Sequence, residues 1–191
     1  KILGRHAVRT LIEVFITLKY LLKKEKEKPD IWREYQYYGI SKYKLILLKA
    51  RENPSVTEHH LVIPLIEAIV NEKLWEEFID IDLRYFDQQS IREKSIDVGE
   101  KELYDLCYDY DSSYVHGLWG SVRESSMLIC DNPAHQYHSI PDASSNQNLP
   151  SVQTSCVSMM KRILLLVDDL YQLPNWYIRK HYEDNNHENA E

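Results

Sequence analysis

Residues 8–22 read VRTLIEVFITLKYLL, and the fold class turns on whether this apolar run spans a membrane or packs in a core. Glu13 and Lys19 interrupt it, and it falls short of the roughly 20 apolar residues that a bilayer crossing requires. Leu11, Phe15, Leu18 and Leu22 recur at helical spacing, the pattern of a helix that buries one stripe. A helix is predicted over Ile2–Lys24 and no membrane association is expected. Beside the stripe, Arg5, Arg9 and Glu13 follow at intervals of four and form a charged column. As a solvated face that column is an ordinary Arg–Glu pair. Turned inward, it is half of a polar site.

The rest of the chain agrees with a helical reading. It has 191 residues, 43% of them hydrophobic, enough for one domain with a core. Five glycines and seven prolines are too few for a many-turned β fold. We therefore expect an all-α, single-domain helical bundle of five or six helices over residues 1–182, with a long polar loop at 130–151 and a disordered acidic tail at 183–191. Thirty acidic residues against 23 basic ones give a net charge of −7, which argues against broad, sequence-blind binding of duplex nucleic acid. Cys107, Cys130 and Cys156 are odd in number and lack CxxC spacing, which predicts reduced thiols and a cytoplasmic protein. The opening KILGRHAV, already in helical rhythm and without Met, predicts a segment of a longer chain.

Beyond the charged connector KKEKEKPD, Asp30 is a suitable N-cap for a second helix to Arg51. Its WREYQYYGISKYK segment interleaves aromatics with Arg33, Lys42 and Lys44, as a base-stacking surface would, and as a core-and-rim helix also does. Asn53-Pro54 restarts the chain, Ser55 with Glu58 forms a capping box, and a third helix with Pro64 in its early turns extends to about Glu77. FIDIDLRYFDQQ (78–89) alternates like a strand but has no strand partner, so it is expected to be helical; its Asp80 and Asp82 form a weak DxD cation pattern. A fourth helix is predicted from Glu100 to Ile129, with Gly117 and Gly120 admitting a close neighbour. A fifth runs over about Val152–Leu173, its core side marked by Cys156, Met160, Ile163, Val167 and Leu170, and a short helix carries Trp176.

On the fourth helix, Tyr108, Ser112, His116, Trp119 and Arg123 share one face. Set against Arg5, Arg9 and Glu13, they would bring together an imidazole, guanidiniums, a carboxylate and a phenol. His116 could then act as general acid or base while Arg9 or Arg123 stabilises a phosphoryl oxyanion. The structural alternative is a buried hydrogen-bond network, in which Ser112 satisfies His116 and Glu13 satisfies Arg9 or Arg123. Either way, His116→Ala is expected to destabilise the fold. In the polar loop, Cys130, His135 and His138 form C-x4-H-x2-H. All three can ligate zinc with a fourth ligand from elsewhere, but the spacing matches no strong zinc signature, so packing of the loop is expected and metal is not. Without a glycine-rich phosphate loop, G-x-S-x-G or H-E-x-x-H, no cofactor is expected.

RTLIE (Arg9 to Glu13), YVHG (Tyr114 to Gly117) and CDNPAHQYHSIP (Cys130 to Pro141) resemble a bacterial all-helical family of unknown function, DUF5677-like, that looks related to the HEPN helical domains. The resemblance implies a dimeric, HEPN-like bundle and an RNA or nucleotide partner. It further implies a metal-independent ribonuclease of the toxin or phage-defence type. The HEPN signature is an arginine four to six residues before a histidine. Here Tyr110, Asp111 and Ser112 stand at those positions before His116, so Arg123 or Arg9 would have to supply the guanidinium. A non-catalytic module that binds a protein, RNA or nucleotide is the rival. In that reading Arg5, Glu13, Tyr108, Ser112, Trp119, His135 and His138 serve binding.

Overall fold

The computed structural model of the protein describes residues 2–52, 63–72, 85–143 and 149–172. Its helices in chain order are α1 (Ile2–Lys24), α2 (Ile31–Glu52), α3 (Ile63–Glu72), α4 (Ile91–Asp97), α5 (Lys101–Leu103), α6 (Asp109–Val115), α7 (Trp119–Ser126) and α8 (Pro150–Tyr171). A 3₁₀ turn lies at Phe86–Gln88 and a π-helical turn at Tyr104–Tyr108. Among the described residues the strands are β1 (Met127–Ile129) and β2 (Ser139–Pro141), paired antiparallel with Leu128 opposite Ile140. The fold is all-α with one small hairpin. No helix among the described residues is long and apolar enough to cross a membrane.

The chain divides into two compact units, residues 1–19 with 95–191 and residues 20–94. In the second unit, Leu47 of α2 and Ile66 and Val70 of α3 form a buried cluster that Ile40 and Ile63 pack against. Pro64 sits in the first turn of α3, where its missing N–H costs no helical bond. The α2 aromatics behave as core and rim: Tyr35 meets the buried Phe86 edge-on at 5.1 Å, and Lys42 lies over the Tyr38 ring. Ser90 and Glu93 open α4 with a capping box, each side chain bonding the other's backbone N–H. Where a helix was expected at the end of 78–89, the 3₁₀ turn carries Asp87 and Gln88 at φ +55° and +56°. The Ser55–Glu58 box, the extension to Glu77, Asp80–Asp82, Trp176 and the acidic tail lie outside the described residues.

In the first unit the α1 stripe is Val8, Ile12, Phe15 and Ile16, one position on from the expected Leu11 and Leu18, which are half-buried. Gly4 allows α8 to approach: a Cβ there would stand 2.6 Å from Val152 Cγ1. On α8 the buried residues are Val152 and Met159, while Met160 and Leu170, expected in the core, are exposed.

The predicted continuous helix over 100–129 does not exist. It opens into a π-helical turn at Tyr104–Tyr108, stops at His116, restarts at Trp119 and gives way to strand at Met127. The stop is a Schellman motif. Gly117 at φ +59° lets Leu118 N–H reach Ser113 O at 2.9 Å and its own N–H reach Tyr114 O at 3.4 Å. Nothing lies within 4 Å of where a Cβ would stand at Gly117 or Gly120, so these glycines do not admit a neighbour. Ser121, buried beside the break, closes it by donating to Ser113 O and Leu118 O at 2.8 and 2.7 Å.

Candidate functional site

The helical phase that was to align five side chains survives for two. Tyr108 and Ser112 lie against α1, because the helical path is continuous between them, whereas His116, Trp119 and Arg123 follow the chain around the Gly117 turn and are exposed. Arg9 gathers the first group. Its Nε donates to Ser112 Oγ at 3.1 Å, its Nη2 to the Tyr108 hydroxyl at 2.6 Å, and its Nη1 pairs with Glu13 Oε2 at 3.1 Å. Tyr108 in turn donates to Glu13 Oε2 at 3.3 Å and stacks on Tyr104 at 4.8 Å. Burial, reinforced by the Glu13 carboxylate, pushes the Tyr108 hydroxyl up to about 12. The phenol keeps its proton at neutral pH, where it donates a hydrogen bond and is no nucleophile.

One turn earlier on α1, Arg5 Nη1 pairs with Asp111 Oδ1 at 3.3 Å, and its guanidinium lies 4.8 Å from the Tyr110 ring centroid. Asp111 is 1% exposed, and burial raises its carboxyl above the ordinary range despite Arg5. Tyr110 donates to Glu124 of α7 at 2.6 Å, which ties the helix beyond the turn back to α6. Burial likewise raises Tyr110 and Tyr114. A pocket of about 380 Å³ opens beside this pair, lined by Arg5, Cys107, Asp111, Ser155, Met159 and Arg162. Arg162 bonds Glu100 at 2.7 Å, and Lys19 bonds the other Glu100 oxygen. Burial opposes ionisation of Glu100, but these two cations together hold its carboxyl below the usual range. The two guanidiniums in the pocket wall therefore already face carboxylates.

Asp111, Glu100, Ser121 and Glu124 carry this architecture and were not foreseen. Asp111 was within reach of the sequence, since it follows Tyr108 by three residues and so shares its face. Glu100, Ser121 and Glu124 matter only because of the turn and of α8, which no local pattern announces.

The exposed face is built differently. Trp119 is 77% exposed, and Arg123, one turn on, donates from Nη2 to Ser139 Oγ at 2.7 Å. That bond joins α7 to the hairpin, whose loop carries Tyr137, 92% exposed and at φ +60°. In the same loop Cys130 Sγ stands 3.7 Å from His135 Nδ1, and the His135 and His138 rings meet edge-on at 5.3 Å. Ligand atoms of Cys130, His135 and His138 all lie within 4.8 Å of one another. The linear spacing grouped these three residues but matched no strong zinc signature, and the hairpin is what brings them together.

Residues 5–135 match the family model of DUF5677, described as a family of unknown function. No curated protein and no solved structure matches the chain.

Proposed function

The chain belongs to DUF5677, and from that premise we propose that it is a HEPN-like module that binds single-stranded RNA without cleaving it, through α7 and the β1–β2 hairpin. One observation carries the choice of binding over cleavage: all three guanidinium nitrogens of Arg9 are engaged, by Ser112, Glu13 and Tyr108. A phosphate would have to displace a carboxylate, a phenol and a serine to reach it. His116 is exposed at the Gly117 turn and takes no part in the bonds around Arg9 or Arg5. The ribonuclease reading, with His116 as acid or base and an arginine on the oxyanion, needs imidazole and guanidinium on one phosphate.

The α7 face offers what a single strand uses. Trp119 and Tyr137 present open aromatic rings for base stacking, and Arg123, fixed by Ser139, places positive charge beside Trp119. Such a local patch is compatible with a net charge of −7, because exposed charges more than about 10 Å away are largely screened by salt and the strand meets mainly the residues of the patch. Cytoplasmic location, read from the cysteines, and bacterial origin and self-association, implied by the family resemblance, belong to the same reading.

The test is a titration of a fluorescently labelled single-stranded RNA with the full chain. Stacking on one aromatic ring contributes about 1–3 kcal/mol, so Trp119→Ala should weaken binding by roughly 5- to 150-fold. The labelled strand should remain intact. Equal binding by parent and Trp119→Ala overturns the interface, and cleavage that disappears in His116→Ala overturns the non-catalytic reading in favour of a ribonuclease.

A further inference from the structure

We infer that the loop of the β1–β2 hairpin is a zinc(II) site, with Cys130, His135 and His138 as protein ligands and solvent in the fourth position. The hairpin register makes it so. Ile129 pairs with Ser139, so Cys130 and His138 are the next residues facing each other across the ladder, and Cys130 N–H bonds His138 O at 3.0 Å. Cross-strand neighbours of this kind hold their side chains close. The third ligand comes from the turn between them. Asn132 shapes it by accepting from Ala134 N–H on its side-chain oxygen and from His135 N–H on its carbonyl, at 3.0 and 2.9 Å. His138 N–H then bonds His135 O at 3.2 Å, with Tyr137 between them in the left-handed region. The backbone thus brings the three ligands together without help from a metal.

The geometry suits a tetrahedral ion. Bonds of about 2.3 Å to thiolate and about 2.0–2.1 Å to imidazole place neighbouring ligand atoms roughly 3.3–3.6 Å apart. Cys130 Sγ and His135 Nδ1 are already separated by 3.7 Å. Across the whole set the ligand atoms span up to 4.8 Å, and both histidines are exposed, so their side chains have room to rotate toward a shared ion. The two imidazole rings stand at 83° to each other, so they do not stack face to face and block one another's nitrogens. One sulfur and two imidazole nitrogens form a set that favours zinc over magnesium or calcium, which take oxygen. Cys130 is half-buried and both histidines are exposed, so the fourth position opens to water. A three-ligand zinc ion with an exchangeable water is the arrangement that accepts a further anionic or thiol ligand. It would also stiffen the hairpin that Arg123 links to α7.

The experiment is metal analysis and cobalt(II) substitution of the full chain. The expected result is one equivalent of zinc per chain, and with cobalt the intense visible absorption of a tetrahedral site plus a thiolate-to-cobalt charge-transfer band. Cys130→Ser should abolish the charge-transfer band, and His138→Ala should remove the tetrahedral spectrum. Circular dichroism of both variants should match the parent, since the ligands sit in an exposed loop. A parent that takes up no stoichiometric metal, a weak octahedral cobalt spectrum, or a charge-transfer band that persists in Cys130→Ser overturns the site. None of these readouts involves RNA, so the outcome is independent of the binding proposal.

Discussion

The two sides of the Gly117 turn use the same residue types to opposite ends. Before it, Tyr108, Asp111 and Ser112 lie against α1, where the arginines they meet are enclosed by carboxylates, phenols and a serine. After it, Trp119, Arg123 and Tyr137 face solvent, and Arg123 rests on a serine. Arginine beside tyrosine and serine thus has no fixed meaning. Where the neighbouring helix buries it, the set is a structural network that leaves Arg5 Nε without a bond, and where the chain turns away it stays exposed to solvent.

The largest effect should come from breaking the enclosed side. Asp111→Ala leaves the Arg5 guanidinium, about one-fifth exposed, without its carboxylate. Breaking a fully buried pair costs about 3–5 kcal/mol, and the residual exposure of Arg5 relieves part of that, so a loss of about 2–3 kcal/mol is expected in urea denaturation. A loss within about 0.5 kcal/mol, the range of an ordinary surface change, would show that this contact is no more structural than the exposed face.

The turn that separates the two regions comes next. Gly117→Ala forces an L-residue into the left-handed region, costing about 1–2 kcal/mol. Gly120 is helical with open space around it, so Gly120→Ala should stabilise by up to about 1 kcal/mol. Opposite signs for two glycines three residues apart would place the helix break at Gly117. Equal signs would contradict it.

The alternation of apolar and polar positions was enough to read α1 at Ile2–Lys24, the second helix, and the charged column of Arg5, Arg9 and Glu13. These depend on local periodicity, which a linear sequence displays. The end of the fourth helix was not legible because Gly117 looks the same in a helix interior as at a C-terminal cap; what distinguishes them is the pair of backbone bonds from Gly117 and Leu118. The same limit applied to C-x4-H-x2-H. Linear spacing describes ligands on a helix or a knuckle, whereas here strand pairing determines which side chains meet.

A smaller effect lies in pH. Tyr108 titrates near 12 in the folded protein and near 10 when exposed, so the folded state holds its proton more tightly. The stability this contributes is complete below about pH 10 and is lost as pH rises through about 12. Between those values the parent should lose stability more steeply than Tyr108→Phe, which has no proton to lose. Parallel melting curves across that window would mean that the hydroxyl is not enclosed between Arg9 and Glu13.

The smallest effect is expected at His116, which lies exposed beyond the last turn of α6. Its backbone N–H bonds Ser112 O at 3.0 Å and would do so equally from alanine, and its φ of −89° with ψ near zero is open to any L-residue. The turn it occupies is made by Gly117 and closed by Ser121, whose hydroxyl bonds go to backbone oxygens of Ser113 and Leu118 and not to the imidazole. His116→Ala should therefore leave stability within about 0.5 kcal/mol of the parent, as an exposed substitution does. A loss above about 1 kcal/mol, the size of a hydrogen bond removed from an enclosed network, would place the imidazole with Arg9 and Glu13 after all and erase the distinction between the two sides of the turn.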